Sequence, residues 1–72
     1  MPLKMGDKVI YIYNMPFDNN SKLLKRLIGT IDEFWESFRS GNMVGCVWED
    51  TNGEVFHWNV PKRYVKLYKE NK

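Results

Sequence analysis

The run Lys22-Leu23-Leu24-Lys25-Arg26-Leu27-Ile28-Gly29-Thr30-Ile31-Asp32-Glu33-Phe34-Trp35-Glu36-Ser37-Phe38-Arg39 admits two secondary structures, and the fold turns on which one forms. Its apolar residues Leu23, Leu24, Leu27, Ile28, Ile31, Phe34, Trp35 and Phe38 recur at steps of three and four, Ser21 is placed to cap the start, and Gly41 lies just past the end. An amphipathic helix gathers such positions on one face. Against it, Gly29-Thr30 stands mid-segment, where glycine costs a helix about 1 kcal/mol relative to alanine. Ile31, Phe34, Trp35 and Phe38 also belong to the side-chain classes that fit a pleated surface. The segment thus predicts either a strand in an all-β fold or, in an α+β fold, a helix at about 22–39 packed on a small antiparallel sheet.

The flanks read more simply. Gly6-Asp7 turns into Lys8-Val9-Ile10-Tyr11-Ile12-Tyr13, a run of β-branched and aromatic residues that predicts a first strand. Pro16 and the Asp18-Asn19-Asn20-Ser21 cluster break it, since proline lacks a ladder donor and short polar side chains compete for backbone groups. Ser40-Gly41-Asn42 marks a turn before the strand Met43 to Trp48. Asn52-Gly53 predicts a type I′ hairpin, because both central residues of that turn need positive φ. Val55 to Val60 returns, with Phe56 and Trp58 on one face and Val55, His57 and Asn59 on the other. Pro61 fixes its own φ and opens a tight turn through Lys62 and Arg63, after which Tyr64 to Tyr68 forms the closing strand. Residues 69–72 read as a frayed tail on a single domain spanning 1–72, its core at about 6–68.

Composition narrows the function classes. A chain of 72 residues buries a small share of its surface and leaves little room for an enclosed active site. The single Cys46 excludes an intramolecular disulfide and suits a reducing, cytoplasmic setting; neither a signal peptide nor a membrane span is legible. Formal charge is +2, below the strongly basic signature of a dedicated nucleic-acid binder, but it is segregated. Lys22, Lys25 and Arg26 form one basic group and Lys62, Arg63, Lys66, Lys69 and Lys72 another, with most carboxylates between them.

Two pieces resemble known small barrels. Gly6-Asp7-Lys8-Val9 with Ile28-Gly29-Thr30-Ile31 is similar to the opening of SH3-like barrels of the KOW and Tudor kind. Pro61-x-x-Tyr64-Val65-x-Leu67 resembles the close of an SH3 domain. The resemblance implies a five-stranded SH3-like barrel with a short 3-10 turn before the last strand, and a strand near 27–35. It spans most of residues 6–67 and extends to small phage-encoded SH3-like proteins that bind a host factor. The Ala-Leu-Tyr-Asp-Tyr element and acidic loop of proline-peptide binders are absent, as is the full KOW glycine pattern.

Carried over residue by residue, Trp48, Pro61 and Tyr64 match the aromatic and proline parts of an SH3 ligand groove, with Tyr11 or Tyr13 to complete it and Lys62 and Arg63 alongside. Trp48 reads more readily as barrel core, and Tyr64 evenly as part of the closing turn. Three tryptophans, four tyrosines and four phenylalanines exceed what so small an interior holds, so an exposed aromatic patch near Phe17, Trp35 or Phe38 would mark a protein interface. The expected role is a non-catalytic module binding a larger protein through Tyr13, Trp48, Pro61, Lys62, Arg63 and Tyr64. The alternative is nucleic-acid binding by Lys22, Lys25, Arg26, Lys62, Arg63 and Lys66 along a phosphate backbone. His57 and Cys46 lack the partners of a zinc site, Asp32, Glu33 and Glu36 show no pocket that would tune them for acid–base work, and no cofactor is expected.

Overall fold

The computed structural model describes residues 3–39 and 41–69, leaving the side chain of Asp18 aside. Met1, Pro2, Ser40 of the expected 40–42 turn, and residues 70–72 of the expected tail lie outside them. The described chain is all-β: β1 (Lys8–Tyr11), a 3-10 turn (Phe17–Asn19), β2 (Ile28–Ser37), β3 (Gly41–Glu49), β4 (Val55–Pro61), a second 3-10 turn (Lys62–Tyr64) and β5 (Val65–Leu67). All pairings are antiparallel in the order β4-β3-β2-β1-β5, an arrangement compatible with an SH3-like fold, although the sheet does not close into a ring. The predicted 3-10 turn before the last strand is present.

The alternative helix at 22–39 does not form, and a bulge explains why the sequence imitates one. The β2–β3 register pairs Ile31 with Cys46 and Glu33 with Gly45, so Asp32 is an extra residue that shifts the alternation by one. Before it, Gly29 and Ile31 face inward beside Trp48 and Cys46; after it, Phe34 takes the same face opposite Val44. A strand with one bulge therefore places residues of the same face three apart. Residues 22–27, the other half of the apparent helix, belong to the long loop between β1 and β2, from which Leu23 and Leu27 are driven into the core.

That core gathers Val9, Tyr11, Leu23, Leu27, Ile31, Val44, Cys46, Trp48, Val60 and Val65. Trp48 is its largest fully buried side chain, and its indole N–H donates to the Trp58 carbonyl at 3.1 Å. A Cβ on Gly29 would stand 2.7 Å from Cε3 of that indole, so glycine is what lets the ring lie flat against β2.

Two local expectations are corrected. The first strand ends at Tyr11, two residues short of the expected Tyr13, and beyond it the Ile12 N–H donates to the Tyr64 carbonyl (2.9 Å) in line with the β1–β5 register. The Asn52-Gly53 reversal is not type I′. Gly53 has φ +83°, but Asn52 is not among the positive-φ residues. The Gly53 N–H donates to the Asp50 carbonyl (3.0 Å), and the Asp50 N–H to the Glu54 carbonyl (2.8 Å), which makes a three-residue loop of the type I plus bulge kind. The Asp50 carboxylate selects it by accepting from the N–H groups of Asn52 (2.8 Å) and Glu54 (3.0 Å).

Candidate functional site

The second 3-10 turn organises the surface around it. Pro61 holds φ at −58°, and the three residues Lys62 to Tyr64 then project Lys62 and Arg63 outward while Tyr64 folds back over the loop that follows β1. There the Tyr13 and Tyr64 rings stack, with centroids 4.1 Å apart and planes 5° from parallel. Tyr11 and Phe17 meet Tyr64 edge to face at 6.3 and 5.8 Å, and the Arg63 guanidinium lies over the Tyr64 ring at 5.0 Å. Tyr11 is buried, donates its hydroxyl to the Met15 carbonyl at 2.7 Å, and has its pKa pushed up to about 12, chiefly by burial and then by Tyr64 and Tyr13.

Of the groove residues expected from sequence, Tyr13, Lys62, Arg63 and Tyr64 come together on this surface. Trp48 and Pro61 do not reach it. Both are fully buried, Trp48 because its side chain fills the interior above Gly29 and Pro61 because it ends β4 against β3. In the register, Met43 lies directly opposite Pro61, and Trp35 directly opposite Met43. This row of three lies on the sheet face opposite Val44 and Cys46, outside the main core.

Trp35 is the exposed member of this row, Met43 and Pro61 being buried, and a trough runs beside it. Trp35 and Met43 line a groove of about 520 Å³ with Phe17, Arg39, His57 and Trp58. The same two residues line an adjoining hollow with Phe34 and Lys62, and Lys62 and Arg63 border a third with Gly41 and Asn42. The far part of the β2–β3 hairpin leaves Phe34 43%, Trp35 40% and Phe38 fully exposed, which is the aromatic patch expected near Trp35 and Phe38; Phe17 is half-buried against Tyr64. Met43 and Arg39 were not legible as site residues, because their placement follows from the Asp32 bulge and from the β3–β4 register.

The basic residues of the alternative reading are divided. Lys62 and Lys66 line a groove with Lys69, Leu3 and Val65. Lys22 instead faces Glu54 at 3.9 Å, and Lys25 and Arg26 stand exposed in the long loop, where Arg26 adopts φ +76°. His57 shares a 2.9 Å hydrogen bond with Asp32, the imidazole N–H donating to the bulge carboxylate. Cys46 is buried, and burial with the nearby Asp32 charge pushes its thiol up to about 12, so it is a core residue and not a ready nucleophile. Among the described residues, no group of three or more His, Cys, Asp and Glu is placed to hold a metal ion. None of their helices is long and apolar enough to cross a membrane.

Fold and surface together define a small antiparallel all-β protein with an aromatic trough bordered by cations. No family model, curated protein or solved structure matches the chain.

Proposed function

We propose that this chain is a non-catalytic protein-interaction module that docks a larger protein partner on the surface formed by Tyr13, Tyr64, Phe17, Trp35, Lys62 and Arg63. The stacked and half-exposed Tyr13–Tyr64 pair carries this reading, since it presents apolar area already fixed in place. Rings held by neighbouring side chains lose little entropy on binding, which is what makes aromatic residues effective interface anchors. In keeping with its resemblance to SH3-like barrels, including small phage-encoded ones, the module acts by occupying its partner, as an inhibitor or modulator of a host enzyme. It performs no bond chemistry of its own.

The test is affinity capture from a cell lysate with the immobilised protein, compared with Arg63→Glu. Recovery of one stoichiometric protein by the parent and its loss with the variant, whose fold is verified by circular dichroism, supports the reading. Equal recovery by both overturns the site. The nucleic-acid reading rests on Lys62, Lys66 and Lys69 sharing one groove. It requires affinity for single-stranded or duplex DNA that falls steeply with added salt, as counterion release dictates, and absence of binding at low salt removes it.

A further inference from the structure

On the side of β2 away from β3 the sheet stops short. β2 has ten residues and β1 four, and β1 pairs only with Ile28 to Thr30. The Ile31 N–H still donates to the Asp7 carbonyl (2.9 Å), and the Gly6 N–H to the Ile31 carbonyl (2.8 Å). The turn from Lys4 to Asp7, closed by the Asp7 N–H on the Lys4 carbonyl at 3.1 Å, then leads the chain away, and Leu3 lies beside Val65 and Leu67 of β5. From Asp32 to Glu36 every residue of β2 is exposed, those of one face and of the other alike.

The register tells which backbone groups this edge offers. Gly29 and Ile31 direct their N–H and C=O to the β1 side, so Thr30 directs its own to Val47 on β3. β3 runs without interruption opposite the bulge, and alternation from Val47 makes Gly45, Met43 and Gly41 bond Glu33, Trp35 and Ser37. Phe34 and Glu36 are left with N–H and C=O pointing out of the sheet, the kind of edge on which another strand can be laid. The other long edge, β4, ends on Pro61, which has no N–H, and exposes one large apolar side chain, Val55, where β2 exposes Phe34 and Trp35.

Charge and bonding select how a second copy fits. Glu33 and Glu36 stand along the edge, Asp32 is held by His57 at the bulge, and Arg39 lies past the strand's end. Because only alternate residues offer bonds, a two-fold axis normal to the sheet has to pass through a residue. An axis at Phe34 sets Glu36 against Asp32 of the copy, and one at Glu36 sets that carboxylate against itself; like charges directly opposite destabilise a sheet. An axis at Trp35 sets Phe34 against Glu36 and Glu33 against Ser37, and Glu36 meets its own copy only on the diagonal, about 7–8 Å away. Phe34 and Glu36 then exchange both N–H···O bonds across the junction. Trp35 forms the non-hydrogen-bonded pair, its Cα about 4.5 Å from that of its copy, with both indoles on one face.

We infer that the chain pairs with a second copy of itself along β2, antiparallel and with the axis at Trp35, so that the two sheets continue as one. This goes beyond the docking reading and does not depend on it.

The experiment is sedimentation equilibrium of the full chain from micromolar to millimolar concentration. A reversible monomer–dimer exchange is expected, weak because the joined area is small. Phe34→Pro removes an N–H that the chain's own ladder does not use, and Trp35→Lys sets two ammonium groups together at the axis. Each should raise the dissociation constant about ten-fold or more, with circular dichroism and thermal melting verifying the fold. Val55→Lys on β4 should leave it unchanged. Under mild oxidation Trp35→Cys should form a disulfide-linked dimer much faster than Phe34→Cys, since only residue 35 faces its own copy, and the native Cys46 is buried. A monomer at every concentration overturns the proposal. A dimer lost with Val55→Lys and kept by both β2 variants belongs to the β4 edge and overturns it too, and equal cross-linking at 34 and 35 overturns the axis at Trp35.

Discussion

Tyr64 closes over Tyr13 with their rings 4.1 Å apart and 5° from parallel, and the Ile12 N–H donates to the Tyr64 carbonyl at 2.9 Å. A side-chain stack and a backbone bond thus join the loop after β1 to the turn before β5. Aromatic pairs contribute about 0.5–1.5 kcal/mol beyond the area they bury. A double-mutant cycle with Tyr13→Ala and Tyr64→Ala, read by urea unfolding, should give a coupling in that range. A coupling near zero would mean that the stack does not hold the loop.

Gly29 and Gly45 make contrasting predictions. A Cβ at Gly29 meets three atoms of the fully buried Trp48 indole at 2.7–2.9 Å, and the ring has no free direction in which to move. Gly29→Ala should therefore cost about 1–3 kcal/mol, the usual range for overpacking. A Cβ at Gly45 meets Glu33 Cγ at 2.5 Å and Asn59 Oδ1 at 2.7 Å, both on side chains, and Glu33 is exposed and can swing aside. Gly45→Ala should be the milder change in chemical denaturation. The reverse order would show that β2 yields more readily than the outer face does.

Burial of Cys46 has an alkaline signature. Its folded pKa is raised from 9.0 to about 12, so as pH climbs through this window the unfolded chain releases the thiol proton while the native chain keeps it. The contribution is fully present below pH 9 and is lost as pH approaches 12. Tyr11, raised from 10.0 to about 12, adds a loss of the same sign that begins higher. Stability measured against pH should fall less steeply between 9 and 10 in Cys46→Ala than in the parent. Native Cys46 should also react with a thiol reagent only as fast as the chain opens, and immediate labelling would contradict its place in the core.

These relationships show what the sequence could and could not reveal. Hairpin, turn and strand order from Met43 to Leu67 were legible because each break carries Gly, Pro or Asn beside an alternating run. Residues 22–39 resisted because Asp32 inserts one residue into β2, converting a period of two into the step of three from Ile31 to Phe34. The same insertion hid the groove. With unbroken alternation Trp35 would share the inward face of Ile31, whereas it stands outside, in line with Met43 and Pro61. Trp48, an aromatic residue near a reversal, invited a surface role that its position above Gly29 rules out. Tyr13, Lys62, Arg63 and Tyr64 were readable because the Pro61 turn holds them close in sequence and in space.

The Asp50 loop allows the sharpest separation of the expected turn from the observed one. A type I′ turn would need positive φ at Asn52, and there alanine would be strained. Here only Gly53 of the pair has positive φ, at +83°, with no atom within 4 Å of the Cβ that a substitution would add. Asn52→Ala should thus change stability by no more than about 0.5 kcal/mol, as exposed substitutions usually do. Gly53→Ala should cost about 1–2 kcal/mol from the left-handed backbone alone. Asp50→Ala should cost about 1 kcal/mol or more, because the N–H groups of Asn52 and Glu54 lose their acceptor, and Asp50→Asn should restore part of the loss. Thermal melts of the four variants check all of this in one series. If Asn52→Ala proved as costly as Gly53→Ala, both residues would share the left-handed backbone, and the carboxylate of Asp50 would not be what selects the three-residue loop.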